Sequence, residues 1–286
     1  MTVNDRVELV LDFARVLYIN GQATEQTVEA PERLGRALGL TVTVMPRWGE
    51  MQVVAHGEDG ERIAQATADP AGVEMDRVVS AMRAIEDIAS GYLATHAGKQ
   101  KIDEISRSPP APTWLFALAA ASGAVALAVT FGLEHIDAAI PIFVSAGAGA
   151  LLRRALGRLS ANLFLQPFCA AFLAGAIGAV AVRWNLSSSL RLIAVSPCMV
   201  LVPGPHVLNG SLDFLNGRIA LGAGRFVYAG LIVLAIAVGL LLGLALLGVS
   251  LPEDPAGRAV PLWQDVLAAG VAVAAYSVFF STPLQM

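Results

Sequence analysis

Apolar residues follow two different patterns along this chain, and the change of pattern divides it. Over residues 5–19, Val7, Val10, Leu11, Ala14, Leu17 and Tyr18 fall on one face of a helix that Asn20-Gly21 stops. A second helix is expected over 24–38 with Gly39 as its cap, and Pro31 inside it predicts a kink or a late start. Alternating runs at 41–45, 51–56 and 62–67 read as strands, the last two joined by a turn at Gly57-Glu58-Asp59-Gly60. A helix over 74–93 carries Met75, Val78, Met82, Ile85 and Ala89 on one face, and a short charged helix around 99–106 follows. Residues 1–108 therefore read as a small α+β domain.

From Trp114 onward the apolar runs become continuous and long. A membrane span needs about 20 mostly apolar residues. Spans are expected at about 114–133, 138–152, 161–182, 192–212, 226–250 and 262–281, after the stiff Pro109-Pro110-Ala111-Pro112 segment. Residues 109–286 thus read as an all-α transmembrane bundle. Glycine pairs such as Gly175/Gly178 and Gly239/Gly243 let helices approach closely in lipid, either within the bundle or across a dimer interface at Gly239 and Gly243.

Composition agrees with two solvents. Hydrophobic residues make up 56% and charged residues 15%, against roughly 45–50% and about 25% in soluble domains. A net charge of −4, with lysine only at Lys99 and Lys101, gives no reason to expect nucleic acid. Cys169 and Cys198 lie in apolar stretches without metal or redox spacing, so no metal or cofactor is expected. Acids at Asp5, Glu8 and Asp12 interrupt the N-terminus, which therefore does not read as a signal peptide; the first domain is expected in the cytosol. Arg153, Arg154, Arg158, Arg218 and Arg225 then face the cytosol, while Glu134, Asp137, Glu253 and Asp254 face out; Arg183 and Arg191 oppose this trend. His56 and His96 have no nucleophile elbow, phosphate loop or zinc pair around them, so no enzyme is expected.

The chemistry concentrates in residues 196–219. Pro203-Gly204-Pro205 cannot continue a regular helix, and broken helices in lipid occur where protein or a water-filled cavity satisfies the freed backbone. Transporters build substrate and ion sites from such breaks. Beyond the break, His206, Asn209 and Asp213 are three and four residues apart, which stacks them on one helical side. A histidine and a carboxylate there could bind an ammonium group and relay a proton. Equally, Asp213 could end the span and His206 sit at the headgroups. Arg225 could contact a carboxylate or serve only the topology.

The run Met199-Val200-Leu201-Val202-Pro203-Gly204, followed by Asn209, Asp213, Gly217 and Gly224-Arg225, resembles the signature of the bacterial threonine/serine exporter family. Asn20-Gly21, Leu38-Gly39-Leu40, Pro46 and Asn162-Leu163-Phe164 agree with that resemblance, which covers nearly the whole chain. It implies a proton-driven exporter of threonine and serine in the bacterial cytoplasmic (inner) membrane. Some relatives are instead linked to dicarboxylates such as succinate. It also implies a second membrane half, fused to the first or supplied as a separate protein. The sixth span with Ser281-Thr282-Pro283 resembles the first helix of that second half, so the chain is expected to be one part of a two-part transporter.

The leading expectation is thus a secondary exporter of small polar amino acids, working as a homo-oligomer in a lipid bilayer. Pro203, Gly204, His206, Asn209, Asp213, Arg225 and Asn162 are its candidate site residues. Dicarboxylate export is the alternative within transport, and it would call for cationic groups in the cavity. A tethered enzyme and a non-transporting scaffold subunit are the alternatives outside it.

Overall fold

The computed structural model describes residues 1–57, 60–133, 136–184, 190–250 and 260–283. Glu58-Asp59 of the expected hairpin turn, and the acids Glu134, Glu253 and Asp254 expected to face out, lie outside these residues. The fold is mostly helical with one small sheet, and it divides into two compact units. One unit contains residues 1–110, Pro205–Phe226 and Phe280–Met286; the other contains Ala111–Gly204 and Val227–Phe279.

In the first unit, α1 (Val3–Ile19) opens with a reciprocal cap, in which Asp5 N–H donates to Thr2 Oγ1 and Thr2 N–H to the Asp5 carboxylate. The six apolar residues expected on one face are buried, and so are Leu9, Phe13 and Val16. The helix is enclosed on nearly all sides because α2 (Thr24–Ala37), α3 (Met75–Ala89), α4 (Gly98–Arg107) and the sheet all pack on it. No late start is forced by Pro31: α2 begins at Thr24 and runs through it, since Thr27, Ala30, Pro31 and Leu34 are all buried and packing outweighs the lost hydrogen bond. Strands β1 (Thr41–Arg47), β2 (Gly49–Gly57) and β3 (Gly60–Ala68) form an antiparallel meander in that order. Pro46 sits on the edge strand β1, where a missing donor is tolerated.

The second unit contains α5 (Thr113–Thr130), α6 (Ala139–Leu159), α7 (Leu165–Arg183), α8 (Leu190–Met199), the later part of α10 (Ile219–Ala245) and α11 (Leu262–Phe279). Among the described residues, α5, α6 with its preceding turn, α7, α10 and α11 are long and apolar enough to cross a membrane. A sixth span would require α8 to be counted together with α9 (Gly204–Leu215) across the break at 200–203.

The run expected at 226–250 is the helix Ile219–Ala245, which starts seven residues earlier, and two other boundaries differ from expectation for identifiable reasons. The second span does not end at Arg153-Arg154 but continues to Leu159. Its arginines find partners inside the bundle: the Arg153 guanidinium lies 5.4 Å from the Phe279 ring centre, and Arg154 lies 4.4 Å from that of Phe116 and donates to Thr113 Oγ1. The third span starts at Leu165 rather than 161, because Ser160 Oγ accepts from Asn162 N–H and Asn162 Oδ1 from Phe164 N–H. Side-chain capture of the backbone holds these residues in a turn.

Close packing of small residues holds the second unit together. A Cβ added at Gly239 would collide with the Phe168 carbonyl oxygen, and one at Gly243 with that of Phe172. Both glycines thus seat α10 against α7 within one chain, which accounts for the pair without a dimer. Gly239→Val and Gly243→Val should each destabilise the protein by about 1–3 kcal/mol, as overpacking does. Thermal unfolding in detergent would check this, with Gly230→Val, which meets open space, as the neutral control.

Candidate functional site

The polar stripe of α9 is built by its sequence spacing. His206, Asn209, Gly210 and Asp213 recur at helical intervals and are buried, while Val207, Leu208, Leu212 and Leu215 project outward. Pro205 is tolerated in the first turn, where its N–H would have had no partner. Before it, Leu201 and Val202 donate to carbonyls three residues back, and the regular ladder stops. Pro203 and Gly204 therefore mark a real interruption.

The return from α9 to α10 decides what Asp213 meets. Gly217 adopts φ +72°, a left-handed conformation suited to glycine, and Arg218 N–H closes the turn onto the Asp213 carbonyl at 2.8 Å. The two helices then approach closely. A Cβ at Gly222 would press on the Gly210 carbonyl, and the Phe214 and Phe226 rings stack with centres 5.4 Å apart. This hairpin carries Arg225 back alongside Asp213.

Asp213 and Arg225 are each 1% exposed, and Arg225 Nε lies 3.0 Å from Asp213 Oδ2. The contact is a close charge pair whose alignment falls short of a regular hydrogen bond. A second guanidinium approaches the same carboxylate, with Arg218 Nη1 4.0 Å from Oδ1. Two arginines thus face one aspartate, leaving an excess positive charge.

Residues nearly two hundred positions earlier complete the site. Arg225 Nη2 donates to Thr24 Oγ1 at 3.4 Å, and its guanidinium lies 5.6 Å from the Tyr18 ring centre. Tyr18 is fully buried and donates to the Arg47 carbonyl. Burial pushes its phenol well above the ordinary range, opposed by the Arg225 charge, so it stays neutral beside the arginine. Asn209 Nδ2 donates to the Gly21 carbonyl at 3.1 Å. That carbonyl is presented by the Asn20-Gly21 turn, in which Asn20 Nδ2 donates back to Val16 and Gly21 adopts φ +92°. His206 hydrogen-bonds to the backbone at Ala71.

Of the candidate residues, the structure gathers His206, Asn209, Asp213 and Arg225 in the first unit. Pro203 and Gly204 form the break before them. Asn162 belongs to the second unit, exposed in the turn before α7, where it caps the backbone. Sequence reasoning missed Tyr18, which it counted only as apolar, and Thr24, which it counted only as a helix start. It treated Arg218 only as a topology signal. Among the described residues, no group of three His, Cys, Asp or Glu side chains gathers to hold a metal.

The buried pair predicts strong non-additivity. Asp213→Asn should cost about 3–5 kcal/mol, because it strands a buried guanidinium. The double variant Asp213→Asn with Arg225→Met should recover a large part of that loss. Detergent thermal unfolding of the cycle measures it, and additive single effects would refute the coupling.

Residues 8–247 match the ThrE family, described as "Putative threonine/serine exporter". The chain is 25% identical over 224 residues to the "Probable succinate transporter subunit YjjP" of Escherichia coli K12, covering 77% of this chain and 86% of that protein. It is 24% identical over 242 residues to the protein of the same name from Klebsiella aerogenes, covering 84% of this chain and 93% of the relative. It is also 24% identical over 250 residues to the "Probable threonine/serine exporter" of Mycobacterium tuberculosis H37Rv; there it covers 83% of this chain but only 45% of the longer protein. No solved structure matches. With a match over most of its length, a helical break followed by a buried polar stripe, and five membrane-capable helices among the described residues, the chain belongs to the ThrE family of transporters.

Proposed function

We propose that this chain is the first half of a proton-coupled exporter of threonine and serine in the bacterial cytoplasmic membrane, with residues 1–108 in the cytosol. The observation that carries the proposal is the buried Asp213–Arg225 pair, with the half-buried Arg218 beside it, that follows a helical break. An amino acid is a zwitterion and can open such a pair, its ammonium group replacing arginine at the carboxylate and its carboxylate replacing aspartate at the guanidinium. Burial makes both exchanges selective, because a buried charge left without a partner is costly. Asn209 is the side chain for a substrate hydroxyl or carboxylate, and His206 and Asp213 are the groups to carry the proton. The apolar outer face of α9 suits contact with lipid, while its polar face meets the Asn20-Gly21 turn of the same unit through Asn209.

A second half in the same chain or in a separate protein fits the 45% coverage of the mycobacterial relative and the word "subunit" in the names of the two shorter ones. Those names also support a second reading, export of a dicarboxylate such as succinate. The excess positive charge beside Asp213 favours it.

Flux in proteoliposomes under an imposed pH gradient separates these readings. The chain would be reconstituted alone and with its membrane partner half, and threonine, serine and succinate supplied in turn. The expected result is gradient-dependent threonine and serine flux, reduced about tenfold or more by Asp213→Asn. Succinate flux without threonine flux would transfer the assignment to the second reading. Absence of all three from verified, inserted protein would end both.

A further inference from the structure

Among the described residues of the second unit, Arg153 has no anionic partner. Arg153 lies on α6 within a membrane-capable helix, and it forms no ion pair among the described residues. Its Nε is shielded and has no hydrogen-bond partner; the guanidinium rests on the Phe279 ring instead. Two turns earlier on the same helix face, Ser145 is fully buried with its hydroxyl also unpartnered. Both line one cavity, closed on the opposite side by Pro197, Val200 and Leu201 at the interruption of α8. Alanines and Gly149 complete the walls, so small side chains leave the space open.

A shielded guanidinium Nε and a buried hydroxyl that lack hydrogen bonds in an apolar bundle are costly unless something meets them during the working cycle. The group that satisfies both is a carboxylate, accepting from the arginine fork and from the serine hydroxyl together. In this conformation the cavity has room for about one water molecule. Val200 and Leu201 of its wall belong to the break between α8 and α9, where the chain can yield to admit a larger group.

We infer that Arg153 and Ser145 form a carboxylate-binding site within the helix bundle, distinct from the Asp213 cluster. The inference rests on the transporter reading and adds to it the group that the bundle recognises. A carboxylate is common to threonine, serine and dicarboxylates, so the site serves either reading.

Isothermal titration of the purified full chain tests it, with threonine, succinate and threoninol as probes. Threoninol keeps the ammonium and hydroxyl groups of threonine but lacks the carboxylate. Arg153→Gln should weaken binding of the carboxylate probe by about tenfold or more, Ser145→Ala by less, and Arg153→Lys should restore part of the loss. Threoninol should bind weakly and equally to wild type and Arg153→Gln. The better carboxylate ligand, threonine or succinate, identifies the source. Wild-type affinity in both Arg153→Gln and Ser145→Ala would overturn this inference alone and leave the Asp213 cluster as the site. If Arg153→Gln fails to fold, Arg153→Lys and Ser145→Ala decide, and unchanged affinity in both overturns it. Failure of wild-type protein to bind either carboxylate, both alone and with its membrane partner half, would overturn the inference together with the transport assignment.

Discussion

A carboxylate and a guanidinium, each almost wholly removed from solvent, meet at 3.0 Å between the two arms of the α9–α10 hairpin. Neither would be stable in that position alone, since an unpaired buried charge costs several kcal/mol. Much of the surrounding architecture provides for the pair. Gly217 turns the chain so that the arms return side by side, and Gly210 and Gly222 let them come close. Tyr18 places a neutral ring under the guanidinium, and Thr24 accepts one of its donors.

The same arrangement explains why residues so far apart in sequence belong to one site. The Asn20-Gly21 turn ends α1, but it also presents the carbonyl that Asn209 needs. His206 addresses the backbone at Ala71, and the Met75 N–H donates to the Phe280 carbonyl. The first unit is thus assembled from three stretches of chain, with its N-terminal residues forming one wall of the polar cluster. A substrate or proton acting on Asp213 would act on that wall directly.

Much of the fold was legible because its determinants are local. Helical periodicity, strand alternation and turn glycines placed the elements of residues 1–108 to within a few positions, and apolar run length found the long apolar helices, although α10 starts seven residues before the expected run. The break at Pro203-Gly204 and the stacking of His206, Asn209 and Asp213 followed from ring chemistry and spacing. What local patterns could not supply was pairing. Arginine beside an apolar run reads as a loop charge, yet Arg225 is buried against Asp213, and Arg153 and Arg154 lie against aromatic rings within the bundle. Tyr18 matched its neighbours as one more apolar residue, and nothing near it signals an arginine two hundred positions later. Asn162 was singled out by resemblance; in the structure its side chain accepts from Phe164 N–H in the turn before α7.

The central claim is that the polar face of α9, gathered around Asp213 and Arg225, is where substrate meets the protein. Substrate protection of a cysteine introduced at position 209 tests it most directly. The native Cys169 and Cys198 would be replaced by alanine, and maleimide labelling of Asn209→Cys followed with and without threonine or succinate. The account predicts that the transported solute slows labelling in a saturable way and that Arg225→Gln abolishes the protection. Labelling that proceeds at the same rate at every concentration of either solute, in protein shown to transport it, would contradict the account.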